Sequence, residues 1–121
     1  MIVVNLPWPP SQLNPNKRLH WSRKSRAARL YRNMCLVLTK SAIESSDYHY
    51  AGVGKMVLSI EFCPPDKRRR DDDNMLASFK SGRDGVADAL GVDDNKFVTS
   101  FEVCSPVQDG AVIVTIQERA E

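Results

Sequence analysis

From Lys55 to Cys63 the chain alternates, with Met56, Leu58, Ile60 and Phe62 on one side and Val57, Ser59, Glu61 and Cys63 on the other. A period of two is the pattern of a half-buried strand, and Pro64-Pro65 ends it. Such a strand belongs in a sheet with one face covered. Ile2 to Leu6, β-branched and apolar up to Pro7, reads as a first strand. Phe97 to Cys104 and Ala111 to Gln117 read as two more, separated by Ser105-Pro106 and Asp109-Gly110 and expected to pair as a hairpin.

The helices follow from a change of period. Ser22 is the expected N-cap of a helix reaching about Ser45, and Ala27, Leu30, Tyr31, Met34, Val37, Leu38 and Ser41 recur at three- and four-residue steps as its sheet-facing side. Arg26, Arg29 and Arg32 lie opposite, available to a nucleic-acid backbone. Tyr48 to Gly54 is a polar connection. A second helix begins near Asp72 or Asp73, with Leu76, Phe79, Val86, Ala89 and Leu90 as core face and Gly82 and Gly85 as weak points. The predicted class is α+β: one domain over residues 1–121, in the order β-α-β-α-β-β, with a mixed sheet and two helices packed on it. At 121 residues and 42% hydrophobic content, a single core needs no disulfide staples.

Cys35, Cys63 and Cys104 match no zinc or redox spacing, which suggests reduced thiols in a cytoplasmic protein. The first residues have no basic export signal, and no apolar run approaches a membrane span, so a soluble protein without a membrane partner is expected. The net charge of +2 conceals an uneven distribution. Lys17, Arg18, Arg23, Lys24, Arg26, Arg29, Arg32 and Lys40 all precede the first acid, Glu44, while most carboxylates fall between Glu61 and Asp94. A basic arm joined to an acidic centre suggests a polyanion held by one part and a metal by the other. A merely solvated helix face is the competing reading of the arm.

The acidic centre is Lys67-Arg68-Arg69-Arg70-Asp71-Asp72-Asp73-Asn74, with a second pair at Asp93-Asp94. Adjacent carboxylates repel, and a hard divalent cation relieves that repulsion while neighbouring cations suit phosphate oxygens. Asp71 and Asp73 point to one side if the chain is still extended there, and the turn at Gly91 can return a carboxylate from Asp93-Asp94. Few carboxylates with room for water suit magnesium. Lys80, seven residues after Asp73, is the candidate cation for charge developing on a phosphate, and Glu61 is a possible further ligand. A helix cap with solvated charges is the competing reading of Asp-x-Asp-Asn. A calcium EF-hand is excluded by Leu76 and Gly82 at its glycine and glutamate positions. His20 and His49 have no partners at ligand spacing, and there is no phosphate-binding glycine loop or nucleophile elbow.

With these residues in view, nearly the whole chain resembles the RusA family of Holliday junction resolvases, small endonucleases of phage and prophage genomes. The likeness is carried by Leu6-Pro7-Trp8-Pro9-Pro10-Ser11, by Pro65 through Asn74, by Asp88-Ala89-Leu90 and by Asp93-Asp94. It implies a magnesium-dependent homodimer that resolves four-way DNA junctions by paired symmetric nicks in recombination and repair. Asp71, Asp73 and Asp94 are then the metal and catalytic carboxylates. Arg69 and Arg70 then contact DNA near the junction, and the remaining cations of the basic run, Lys67 and Arg68, with Lys17, Arg18, Arg23 and Lys24 of the basic arm, are added to them as candidate DNA contacts. One departure stands out: the family's catalytic lysine would fall at Ala77, and Lys80 or Arg83 is the available substitute. Two other functions remain open: a non-catalytic branched-DNA-binding protein using the basic arm and first helix, and an RNA-directed nuclease with Trp8, His20 and Trp21 stacking on unpaired bases.

Overall fold

In the computed structural model, which describes residues 1–47 and 54–119, the alternating segment is strand β2 (Met56–Cys63). Met56, Leu58, Ile60 and Phe62 are fully buried, while Val57, Ser59 and Glu61 are half-buried on the other face. Strand β1 (Ile2–Leu6) buries Ile2, Val4 and Leu6 in the same manner. Strand β4 (Ala111–Glu118) contributes Val112, Val114 and Ile116. Each such side chain contributes about 1.5–3 kcal/mol on leaving water, so the strands are fixed by which face they bury. Glu61 falls on the face away from the core. Tyr48 to Val53, most of the connection expected there and including His49, lies outside the described residues.

The architecture is α+β, as expected, but the sheet is wired differently from a closing hairpin. Its order is β1-β4-β2-β3, with β3 at Phe97–Val103. β3 runs parallel to β2, from Met56 opposite Phe97 to Phe62 opposite Val103, and does not pair with β4. β4 inserts antiparallel between β1 and β2, Ile116 lying opposite both Ile2 and Leu58. The reason is the path of residues 104–110. The Cys104 N–H donates to the Phe62 carbonyl (2.8 Å) and the Val107 N–H to the Pro64 carbonyl (2.9 Å), which leads the chain over the end of β2 before Asp109-Gly110 turns it back. This places Cys104 beside Cys63, and all three cysteines are free thiols.

Helix α1 spans Trp21–Glu44, and its cap is His20, whose ring accepts from the Ser22 N–H; Ser22 is already helical. Its inner face also differs from the expected one. Tyr31, Cys35 and Thr39 are buried, whereas Leu30, Met34, Val37 and Leu38 are exposed. The helix is rotated because it seats on another helix as well as on β1, and Tyr31 reaches down to donate to the Pro7 carbonyl at 2.6 Å. Burial pushes the Cys35 thiol up to about 11, leaving it protonated and inert.

The second helical segment breaks at Phe79 into α2 (Asp72–Ser78) and α3 (Lys80–Leu90). Met75, Phe79, Val86 and Ala87 are its buried apolar residues, with Leu76, Ala89 and Leu90 only partly covered. Gly82 and Gly85 prove to be the contact with α1: a Cβ on Gly85 would lie 2.3 Å from the Arg32 carbonyl oxygen. Phe79 stacks edge-on against both Tyr31 and Phe62, tying the helices to the sheet. No helix among the described residues is long and apolar enough to cross a membrane.

At the rim of this crossing Arg32 donates to both Asp88 oxygens, at 2.6 and 2.9 Å. Those hydrogen bonds hold the Asp88 carboxyl below its ordinary range. A depressed carboxyl stabilises fully above the unfolded pKa of about 4, and the effect is lost as pH falls through its folded value. Both side chains are substantially exposed, so screening keeps the pair small. Arg32→Ala is therefore expected to cost about 0.5–1 kcal/mol in urea unfolding at pH 7, with no difference from the parent at pH about 2.

Candidate nucleic-acid and phosphate site

The segment between β2 and α2 is organised by Asp66. The Arg68 N–H donates to its carboxylate at 2.9 Å, and Arg70 pairs with the same oxygen at 2.9 Å. Arg70 also donates to the carbonyls of Asp66 (3.1 Å) and Arg68 (3.0 Å) and lies 5.7 Å above the Trp8 ring. The Arg68 N–H first, and then Arg70, hold the Asp66 carboxyl below the usual range. Arg70 is thus a strut within the loop, with its side chain only 20% exposed. Lys67, Arg68 and Arg69 are the cations that face outward. Trp8 is likewise an anchor, meeting Phe62 edge-on at 6.2 Å beneath Arg70. Between Trp8, Asn14, Asn16, Arg68, Arg69 and Asp71 opens a cavity of about 450 Å³.

Asp71 is the N-cap of α2, its carboxylate accepting from the Asp73 N–H at 2.9 Å, and Asp72 and Asp73 form the first turn. Negative charge is favoured there by the unpaired N–H groups of the helix end. Capping also ends the extended chain at Asp71, so the alternation that would align Asp71 with Asp73 does not operate. Asp71 lines the Trp8 cavity, and Asp73 lines another, of about 440 Å³, together with Leu76, Ala77, Lys80, Arg83 and Thr99.

Ala77, where the family lysine would fall, opens onto this second cavity, and two later cations reach it. Lys80 is 74% exposed and sits loosely, 3.6 Å from Asp84. Arg83 is built in. Its Nε donates to Thr99 Oγ1 at 3.1 Å, its guanidinium lies 5.2 Å above the Phe97 ring, and its Nη1 stands 3.6 Å from Asp94. With its side chain 23% exposed, Arg83 is the more ordered of the two. Sequence reasoning ranked it second because its partners, Thr99 and Phe97, come from a strand whose place beside β2 was not foreseen.

Gly91, left-handed at φ 70°, ends α3 and turns the chain toward the second acidic pair, as expected. The Asn95 N–H and then a hydrogen bond with the Asp94 carboxyl hold Asp93 below the usual carboxylate range. Asp93 and Asp94 therefore stand together, with Arg83 against Asp94. The expected trio is not assembled: among the described residues no group of three or more His, Cys, Asp or Glu side chains is placed to hold a metal ion. Asp71, Asp73 and Asp94 are distributed over the two cavities and the Arg83 contact. Their donors are nonetheless all carboxylate oxygens, the chemistry of a hard cation that retains water.

The basic arm folds back onto α1. Lys17 Nζ donates to Ser11 Oγ at 3.5 Å and Lys24 Nζ to the Asn14 carbonyl at 3.4 Å. Lys17 and Arg23, joined by Arg26, line a third cavity of about 390 Å³, and Arg18 is exposed beside them. Arg26 was expected, with Arg29 and Arg32, on a helix face available to a nucleic-acid backbone, but not in this cluster.

No family model matches the chain. It is 43% identical over 117 residues to an uncharacterized protein of Xylella fastidiosa (strain Temecula1 / ATCC 700964), the match covering 96% of this chain and 76% of that one.

Proposed function

The chain belongs to the family of that Xylella fastidiosa protein, and since the relative's name carries no activity, the site must supply one: we propose a structure-selective endodeoxyribonuclease of the RusA type, acting as a homodimer on four-way DNA junctions. The observation that carries the reading is Arg83, held by Thr99 and Phe97, 3.6 Å from Asp94 and lining the cavity of Asp73, with Asp71 in the separate cavity of Arg68 and Arg69. Phosphodiester hydrolysis requires cations on the phosphate oxygens and carboxylates near the attacked phosphorus. Arg68, Arg69 and Lys67 hold the backbone, and the basic arm extends the track. Arg83, whose 3.6 Å contact with Asp94 leaves it loosely paired, neutralises charge gathering on the phosphate.

Magnesium enters in the form that needs few protein ligands, with one or two carboxylates completed by water and substrate phosphate. Asp94, with Asp93 against it, or Asp73 would supply those oxygens. When bound, the ion polarises the phosphate and lowers the pKa of a coordinated water. Pairing of two chains is supported by the exposed Met34, Val37 and Leu38 on α1, and it would give each junction two symmetric nicks.

The test is cleavage of four-way junction, linear duplex and single-stranded DNA with and without magnesium. Paired nicks on the junction alone, only with the ion, are expected. The dispersed carboxylates favour one second reading, a non-catalytic branched-DNA-binding protein. Tight, salt-sensitive binding that is indifferent to magnesium and leaves every substrate intact would establish that reading instead.

The division of labour among the arginines gives a further expectation. Arg69→Ala should lower junction affinity severalfold and reduce the slope of log affinity against log salt by about 1, with thermal stability unchanged. Arg70→Ala should instead lower the melting temperature, because it removes the loop's internal bonds.

A further inference from the structure

Trp21 is 74% exposed, and it is not mobile decoration on the surface. It lies against the His20 ring, with centroids 5.7 Å apart and planes tilted by 32°. That ring is itself fixed, because its Nδ1 accepts from the Ser22 N–H at 3.2 Å and is 2.7 Å from Ser22 Oγ. A large aromatic held open to solvent on a fixed support forfeits burial that it would gain almost anywhere else in the fold. From the first turns of the same helix, Arg23 and Arg26 join Lys17 on the third cavity, floored by Leu19, Ala27 and Leu30.

None of these three cations has an ion-pair partner among the described residues, and no acid precedes Glu44 in the sequence. Ser11 lines both this cavity and the one containing Asp71, so a single backbone can run from one to the other.

We propose that Trp21 is a stacking platform for an unpaired DNA base, with Lys17, Arg23 and Arg26 gripping phosphates farther along the same strand. The inference deepens the nuclease reading and rests on its assignment of branched DNA as the ligand. A duplex offers no free base face, whereas an opened branch point or single-stranded flap does. Stacking on an aromatic is indifferent to sequence, which suits recognition of shape. The platform would therefore supply preference for branched over linear DNA, while Arg68 and Arg69 grip either.

The experiment uses the full chain in EDTA, so that no cleavage is read, with 2-aminopurine placed at the unpaired position of a flap or junction. The parent should quench the probe and bind branched DNA more tightly than duplex. Trp21→Ala should abolish the quenching and weaken flap and junction binding about tenfold, leaving duplex affinity within about twofold. Trp21→Phe should restore most of the preference. The side chain is exposed, so folding is not at issue, and unchanged circular dichroism checks this.

Equal losses on duplex and branched DNA, or no loss on either, would overturn the proposal. So would tighter binding of the matching RNA. A protein that shows this Trp21-dependent preference yet never nicks DNA in magnesium loses the nuclease reading and keeps this one. A protein that nicks junctions with Trp21→Ala unimpaired in binding loses only this one.

Discussion

Asp73→Asn is expected to leave four-way-junction binding unchanged and to lower the cleavage rate in saturating magnesium by about 10²- to 10³-fold, the usual scale for deleting one charge-stabilising group from an active site. The separation of binding from rate follows from position. Asp73 lines the cavity with Ala77, Lys80 and Arg83, whereas the outward cations Arg68 and Arg69 line a different one. On the proposed reading, removing its charge weakens the hold on the metal ion and leaves the backbone grip intact. Asparagine is nearly isosteric and the side chain is exposed, so thermal stability should change little. Asp94→Asn should behave likewise, with one further mark: Arg83 loses its ion pair but keeps its Thr99 and Phe97 contacts. A single-turnover assay on a synthetic junction reads the effect. Cleavage at the parental rate by both variants would remove these carboxylates from the site.

Gly85→Ala should destabilise the fold by about 2–3 kcal/mol, and lower the melting temperature by roughly 10 °C, although alanine is the better helix former. In an exposed helix interior the exchange would gain about 1 kcal/mol. Here the added Cβ would stand 2.3 Å from the Arg32 carbonyl and 3.0 Å from the Leu36 nitrogen, both backbone atoms of α1 that cannot rotate aside. The two helices would have to separate, opening space around Tyr31, Cys35 and Val86, all buried at this contact. Urea unfolding with an unchanged m-value and a reduced midpoint is the expected record. A stabilised variant would show that the helices can move apart without cost.

The strands were legible because burying one face imposes a period that composition alone displays, and Met56 to Phe62 follow it without exception. The order of the strands was not. Pairing depends on the path of residues 104–110 over the end of β2, and that path is held by the Pro64 carbonyl and the Phe62 carbonyl, backbone groups that leave no mark in the sequence. The face of α1 was misjudged for a related reason. Leu30 and Met34 have the right spacing and hydrophobicity, but Gly85 draws the opposite helix in at Arg32 and Cys35, fixing the rotation by the absence of a side chain.

At the candidate site the residue types were readable and their grouping was not. Asp71 was read as part of an extended run, and its conversion to a helix cap aims it at Trp8 and Arg69 in place of Asp73's cavity. Arg83 could be named only as an alternative to Lys80, since the residues that position it lie on β3. Arg70 looked like one more cation of a basic run. Only the carbonyls of Asp66 and Arg68 show that its hydrogen bonds are spent inside the loop.

Strand β1 finds its sheet neighbour in β4, more than a hundred positions away along the chain. During synthesis the β1 segment must therefore wait, its ladder unmade, until β4 has left the ribosome. Closing so long a loop is paid for before any pairing returns it, which places this topology among slow folders. In that interval the exposed apolar edge of β1 is the part of the nascent molecule most in need of a chaperone.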